Sequence, residues 1–261
     1  MSYKSIYLVT MLSSLLVGCG GGSGGGSAAA VVASTPSFLD SGTSLTYNST
    51  NATTLSNTTE FKNFRYSSGS SSQNPLEVVN AHKAYGYGLT GAGETIAIVD
   101  SGFWTGHQEL SGNSKSITSY GTLVAATGAN TGADHGLFVS SMAAGEDDGT
   151  GMQGVAPSAS LHLSDYYNNN GSTNWPSHWA LATDNASSAI VQNNSWGLNT
   201  NYSALTTYMS NNSVDASTAY SSYYNSAGYT ANKASWEQYI TALDNFQSHG
   251  VIVRSISNTT S

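Results

Sequence analysis

The chain has 261 residues, room for one sizeable domain, and its first quarter differs in composition from the rest. Charged side chains are only 8% of it and the formal net charge is −8, so an uncharged polar surface of Ser, Thr, Asn, Gly and Tyr has to keep it in solution. No Lys/Arg cluster stands ready to displace counterions from phosphates, which argues against nucleic acid as a partner.

Lys4 followed by an apolar stretch from Ile6 to Val17 predicts a secretory signal over residues 1–18. That stretch falls well below the roughly 20 residues that span a bilayer. Cys19, the one cysteine, has no intrachain disulfide partner. From residue 19 to residue 74 the chain runs through GGGSGGGS and then Ala, Ser, Thr and Asn tracts, which predicts a flexible tether. Coil scaling gives such a segment a reach of about 40 Å.

From Pro75 onward the pattern changes. Residues 76–85 read as a helix, 94–99 as a buried strand, 136–144 as a helix, 159–163 as a strand and 179–189 as a helix. Residues 190–194 then read as a strand, 236–247 as an amphipathic helix and 251–256 as a final strand. This alternation predicts an α/β fold with a mainly parallel sheet flanked by helices on both faces. Reactive groups in such sheets gather at the strand carboxyl ends, where Asp100, Ser195 and Asn258 are expected. Residues 198–231, rich in Ser, Asn and Tyr, read as an insertion beside that edge.

Two strings carry the chemistry. TIAIVDSG (Thr95 to Gly102) places a carboxylate after an apolar β run, and DHGLFVSSMAAG (Asp134 to Gly145) places an imidazole at the start of a helix. Together they suit an Asp and His charge pair built on a sheet edge. Asp-Ser-Gly is also a good turn, so Asp100 alone could be a capping residue. His82, His107, His162, His178 and His249 read as structural or exposed. Glu146-Asp147-Asp148-Gly149 is an oxygen-rich turn; calcium takes six to eight oxygens, so a solvated acidic turn is the favoured reading over a calcium site, and no cofactor is expected.

From about Ala81 to its last residue the chain resembles the N-terminal part of a subtilisin-like serine protease. VDSGFWTGHQEL resembles the Asp motif of that family, with His107 and Leu110 downstream, and HGLFVSSMAAG resembles its HGTHVAG helix, with Leu137 and Phe138 replacing the usual Thr and second His. GTGMQGVAPSASLHL resembles the turn into the next strand, and IVQNNSWG the strand that pairs with extended substrate. The resemblance implies a serine endopeptidase acting on polypeptides. Asp100 would orient the ring of His135, His135 would act as general base, and Asn258 would stabilise the oxyanion, although Ser257 replaces the usual glycine. Ser195, Trp196 and Gly197 would line specificity pockets by β-augmentation, against the alternative of a central strand with Trp196 in the core.

LVGC (Leu16 to Cys19) resembles the bacterial lipobox, which implies lipidation of Cys19 and a place on the cell envelope, with Gly20 favouring the outer membrane. The family's Gly-Thr-Ser nucleophile string is missing after His135. The only such triplet, ending at Ser44, precedes Asp100 and lies in the tether. The expectation is a partial peptidase domain over residues 75–261, truncated before its serine and inactive. The alternative is a surface lipoprotein that keeps the peptide-binding cleft without catalysis.

Overall fold

The computed structural model describes residues 45–63, 66–68, 71–111, 115–128, 132–166, 175–196, 202–215, 218 and 233–255. Part of the segment read as tether is ordered. Residues 49–63 form helices α1 (Ser49–Ser56) and α2 (Thr59–Asn63). Asn48 caps α1, its Oδ1 accepting from Thr50 N at 2.9 Å and Asn51 N at 3.2 Å. Buried Phe61 then joins Leu76, Ala81 and Tyr85 in a small core against which Leu55 packs. A short antiparallel hairpin, β1 (Tyr66–Ser68) and β2 (Ser71–Gln73), follows.

The single helix predicted over residues 76–85 is two, α3 (Pro75–Val78) and α4 (Ala81–Gly86). Asn74 caps α3 through Leu76 N at 2.9 Å, with Pro75 at the first turn. Asn80, in the left-handed region at φ 57°, breaks the run, a conformation that asparagine tolerates better than most residues. The Tyr85 hydroxyl donates toward Gly154 O (3.2 Å) and Val155 O (3.0 Å), fastening α4 to the Gly-Val-Ala-Pro turn.

The main sheet has five strands: β3 (Thr95–Asp100), β4 (Ile117–Tyr120), β5 (Ser160–Asp165), β6 (Val191–Asn194) and β7 (Val251–Arg254). Their order is β4-β5-β3-β6-β7 and every neighbouring pair is parallel. The helices are α5 (His135–Ala144), α6 (Trp175–Asn185), α7 (Tyr202–Asn212) and α8 (Lys233–Gln247). β3 lies at the centre, and its residues 97–100 are all buried, as expected of a strand covered on both faces. Ile98 sits in a core with Leu161 and Leu163, against which Ile96, Leu137 and Val139 pack. Ala97, of opposite pleat, meets Ala186, Ala189 and Phe246. Full burial of the large side chains among them, Ile98, Leu161, Leu163 and Phe246, contributes about 1.5–3 kcal/mol each. Helices α6 and α8 pack together through Trp179, Ala180, Tyr239 and Ala242.

The sequence pattern gives no sign of strand β4, and helix α7 lies inside residues 198–231, the stretch expected as an insertion. The tyrosine-rich stretch 220–229 lies outside the described residues. Among the described residues no helix is long and apolar enough to cross a membrane. From β5 the chain passes over β3 to reach β6, so β3 stands where the winding reverses. Ligands of open α/β sheets bind at the carboxyl ends there. Asp100 is the last residue of β3.

Candidate active site

The apolar run of β3 ends in Asp100-Ser101-Gly102, a turn held from several sides. Ser101 N donates to Asp100 Oδ1 at 2.8 Å. Helix α5 begins beneath this turn, and its first amides have no partners of their own within the helix. The turn supplies them: Gly136 N donates to Ser101 O at 2.6 Å and Leu137 N to Gly102 O at 2.8 Å. Gly136 has to be glycine, since a Cβ there would lie 2.8 Å from both Ser101 O and the Phe103 ring. On the other side Asp134 Oδ1 accepts from Thr127 N, from Thr127 Oγ1 (2.9 Å) and from Gly128 N (3.2 Å), fixing the approach to the helix.

These contacts carry the first residue of α5 to the end of β3. His135 Nδ1 lies 2.8 Å from Asp100 Oδ1 and 3.0 Å from Oδ2. The carboxylate is buried, with 1% of its side chain exposed, whereas the ring is 46% exposed. One edge of the imidazole therefore meets a buried acceptor while the ring as a whole stays open to solvent. Burial is the largest influence on Asp100 and pushes its carboxyl above the usual range. The hydrogen bonds from His135 and Ser101 oppose that push, and the Asp165 carboxylate adds to it. A buried carboxylate of this kind needs hydrogen-bond donors, and the edge of the His135 ring supplies one. The arrangement can thus orient an imidazole in its Nδ1–H tautomer and stabilise the imidazolium.

Ser195 and Trp196 follow β6. Asn193 Nδ2 donates to Ser195 Oγ at 2.8 Å. Trp196 Nε1 donates to Val99 O at 2.8 Å, which ties this turn to the residue before Asp100. The half-buried Trp196 ring stacks on Tyr166 (centroids 5.7 Å apart) and meets Trp179 (4.7 Å), with the Arg254 guanidinium 4.9 Å above it. Trp196 therefore takes part in the packing between α6 and α8 as well as standing at the sheet edge. β6 is paired on both sides, and Ser255 N closes on Asn194 O at 3.1 Å. An added peptide strand has no free edge along residues 191–194. Gly197, Asn258 and Cys19 lie outside the described residues.

The other histidines sit elsewhere. Glu109 N donates to His107 Nδ1 at 3.3 Å, and the ring of His107 meets Trp104 edge-on. His162, buried in β5, is 2.9 Å from Thr118 Oγ1, and burial holds its ring below the usual range. The acidic turn differs from the solvated reading in one respect, because Glu146 is buried, while Asp147 and Asp148 are exposed. Among the described residues no group of three His, Cys, Asp or Glu side chains is placed to hold a metal ion. Sequence reasoning missed Asp165, whose Oδ2 accepts from Ser101 Oγ at 3.0 Å. The only sequence signal was its position at the end of a strand, like Asp100.

The chain is similar to several known proteins. Two proteins of Serratia marcescens, each described as an extracellular serine protease, are 36% and 34% identical to the chain over 128 residues. That is 47% of this chain but only 11% of either relative, so the match spans about a tenth of their length. Among solved structures, fervidolysin from Fervidobacterium pennivorans is similar at 20% identity and a TM-score of 0.40, over 66% of this chain and 22% of that one. Sphericase is similar at 21% identity and a TM-score of 0.40, over 66% and 48% of the two chains. The subtilase family model matches residues 91–260, which takes in Asp100, His135 and all five strands of the parallel sheet, and the chain belongs to the subtilase family.

Proposed function

We propose that this protein is a serine-type endopeptidase in which Asp100 and His135 are two members of the catalytic triad. The observation that carries this is the 2.8 Å contact between His135 Nδ1 and Asp100 Oδ1, at the carboxyl edge of the sheet where the winding reverses. His135 takes the proton of an attacking hydroxyl and passes it to the leaving amine, and Asp100 stabilises the imidazolium in between. The substrate is an extended polypeptide lying over Ser195, Trp196 and Gly197, and Asn258 supplies a side-chain amide to the oxyanion. Because β6 is enclosed along residues 191–194, peptide pairing begins beyond Asn194.

No described serine is hydrogen-bonded to His135, and no Gly-Thr-Ser string follows it in the sequence. On this reading the 261 residues alone do not cleave peptide. A fluorophosphonate probe should leave the purified chain unlabelled. Labelling that disappears in His135→Ala would place the nucleophile within these residues and overturn the inactivity. Labelling indifferent to His135→Ala and Asp100→Asn would contradict the triad assignment itself.

The string LVGC and the extracellular description of the Serratia relatives support export, with Cys19 carrying lipid and tethering the protein to the envelope. Cys19→Ser should release the protein into the medium. Unchanged membrane association of that variant would remove the anchor.

A further inference from the structure

Asp165 ends β5 directly beside Asp100, the two being register partners in the parallel ladder. Its side chain is 1% exposed. Oδ2 accepts the Ser101 hydroxyl at 3.0 Å and Val124 N at 2.9 Å, while its main-chain oxygen is 2.6 Å from His178 Nε2. Val124 O in turn receives Phe103 N at 2.8 Å. The Asp100-Ser101-Gly102 turn is thus gripped from β5 as well as from α5.

Ser101 is the common member. Its amide donates to Asp100 Oδ1, its carbonyl accepts the first amide of α5 after His135, and its hydroxyl donates to Asp165. If Asp165 moves, both ends of the pair lose a fixed reference. A second buried carboxylate beside Asp100 also repels it. A neutral acceptor such as asparagine could receive the Ser101 hydroxyl and Val124 N without that repulsion.

We propose that Asp165 is a positioning residue for the pair, acting through Ser101 to hold Asp100 against His135 Nδ1. This rests on the reading of Asp100 and His135 as a catalytic pair. The test follows the ring directly, by nitrogen-15 NMR of histidine-labelled 261-residue chain at a pH where His135 is neutral. Wild type should hold the Nδ1–H tautomer. Ser101→Ala and Asp165→Ala should each lower the ratio of Nδ1–H to Nε2–H by about tenfold, as befits loss of a charge-assisted hydrogen bond supporting the acceptor. Ser101→Thr, which keeps the hydroxyl, should match wild type.

Ser101→Ala removes one oxygen only, so it keeps the test open if Asp165→Ala fails to fold. The proposal is overturned if Ser101→Ala leaves the ratio within about twofold of wild type, or if Ser101→Thr lowers it as much as alanine does. In either case Asp100→Asn should still collapse the tautomer preference, and the catalytic pair survives. If Asp100→Asn also leaves the ratio unchanged, the pair itself fails, and the role of Asp165 with it.

Discussion

Gly102→Ala is expected to destabilise the folded chain by about 3–5 kcal/mol, at the upper end of single substitutions. Gly102 adopts φ +80°, which an alanine accepts only at a cost of about 1–2 kcal/mol. The larger part is steric, because a Cβ at this position would lie 1.7 Å from Ala133 O and 2.6 Å from Ala133 C. Both are backbone atoms, so no rotamer change relieves the overlap and the chain before α5 must retreat. That movement pulls Leu137 N away from Gly102 O and shifts His135 relative to Asp100. Urea unfolding measures the loss as a fall in midpoint at unchanged slope. A midpoint close to wild type would mean that this turn is not the rigid seat described above.

The second large effect is a pH dependence centred far from the pair. Glu60 on α2 is 1% exposed, and its Oε1 accepts Asp148 N at 3.2 Å. Burial, and then the Asp147 and Asp148 carboxylates, raise its carboxyl from 4.5 to about 7, and the Thr150 amide opposes them. The folded state therefore holds a proton that the unfolded state releases near pH 4.5. Stability from this group is fully present below about 4.5 and is lost as pH rises toward about 7. At about 1.4 kcal/mol per unit, the penalty above that range is on the order of 3–4 kcal/mol.

His162 works in the opposite direction, since a ring held neutral by burial destabilises the fold as pH falls. The diagnostic is thus the difference between wild type and Glu60→Gln. That difference should be small near pH 5 and should favour the glutamine variant near pH 8, with urea midpoints as the readout. A constant difference across this interval would contradict the assignment. Since α2 docks through this carboxylate, the protection of amides in residues 49–63, measured against their intrinsic exchange rates at each pH, should fall over the same interval.

The parts of the fold that could be read in the sequence share a physical cause. Thr95 to Val99 is an apolar, β-rich run ending in a turn triplet, and the burial of β3 on both faces leaves no room for polar residues to blur it. Val251 to Arg254 shows as a shorter apolar run although it lies at the sheet edge, whereas Val191 to Asn194, VQNN, is mostly polar and is legible through its resemblance to the family's substrate-pairing strand. Strand β4 was hidden because Ile117–Tyr120 is a short edge strand, ITSY, with Thr118 and Ser119 exposed. Helices α1 and α2 were hidden by composition. Only Ala52 of α1 is buried, and the helix depends on the Asn48 cap and on tertiary packing around Phe61 rather than on propensity.

The site divides in the same way. Asp100 and His135 were legible because each lies in a local string whose backbone role, a strand end or a helix start, is written in neighbouring residues. Asp165 was not, because its importance comes from contacts with Ser101 and Val124, 64 and 41 residues away in sequence. The position of Trp196 was anticipated at the sheet edge, but its stacking on Tyr166 and Trp179 depends on how α6 and α8 pack, which no local pattern encodes.

The Asp100 carboxylate and the His135 ring form a directed hydrogen bond, one expected to be strongest when the ring carries a proton. Proton NMR of the 261-residue chain at mildly acidic pH tests this most directly. Wild type should show a far-downfield Nδ1–H resonance that is slow to exchange with water and is lost in both Asp100→Asn and His135→Ala. Absence of that resonance from wild type, or its persistence in Asp100→Asn, would contradict the account.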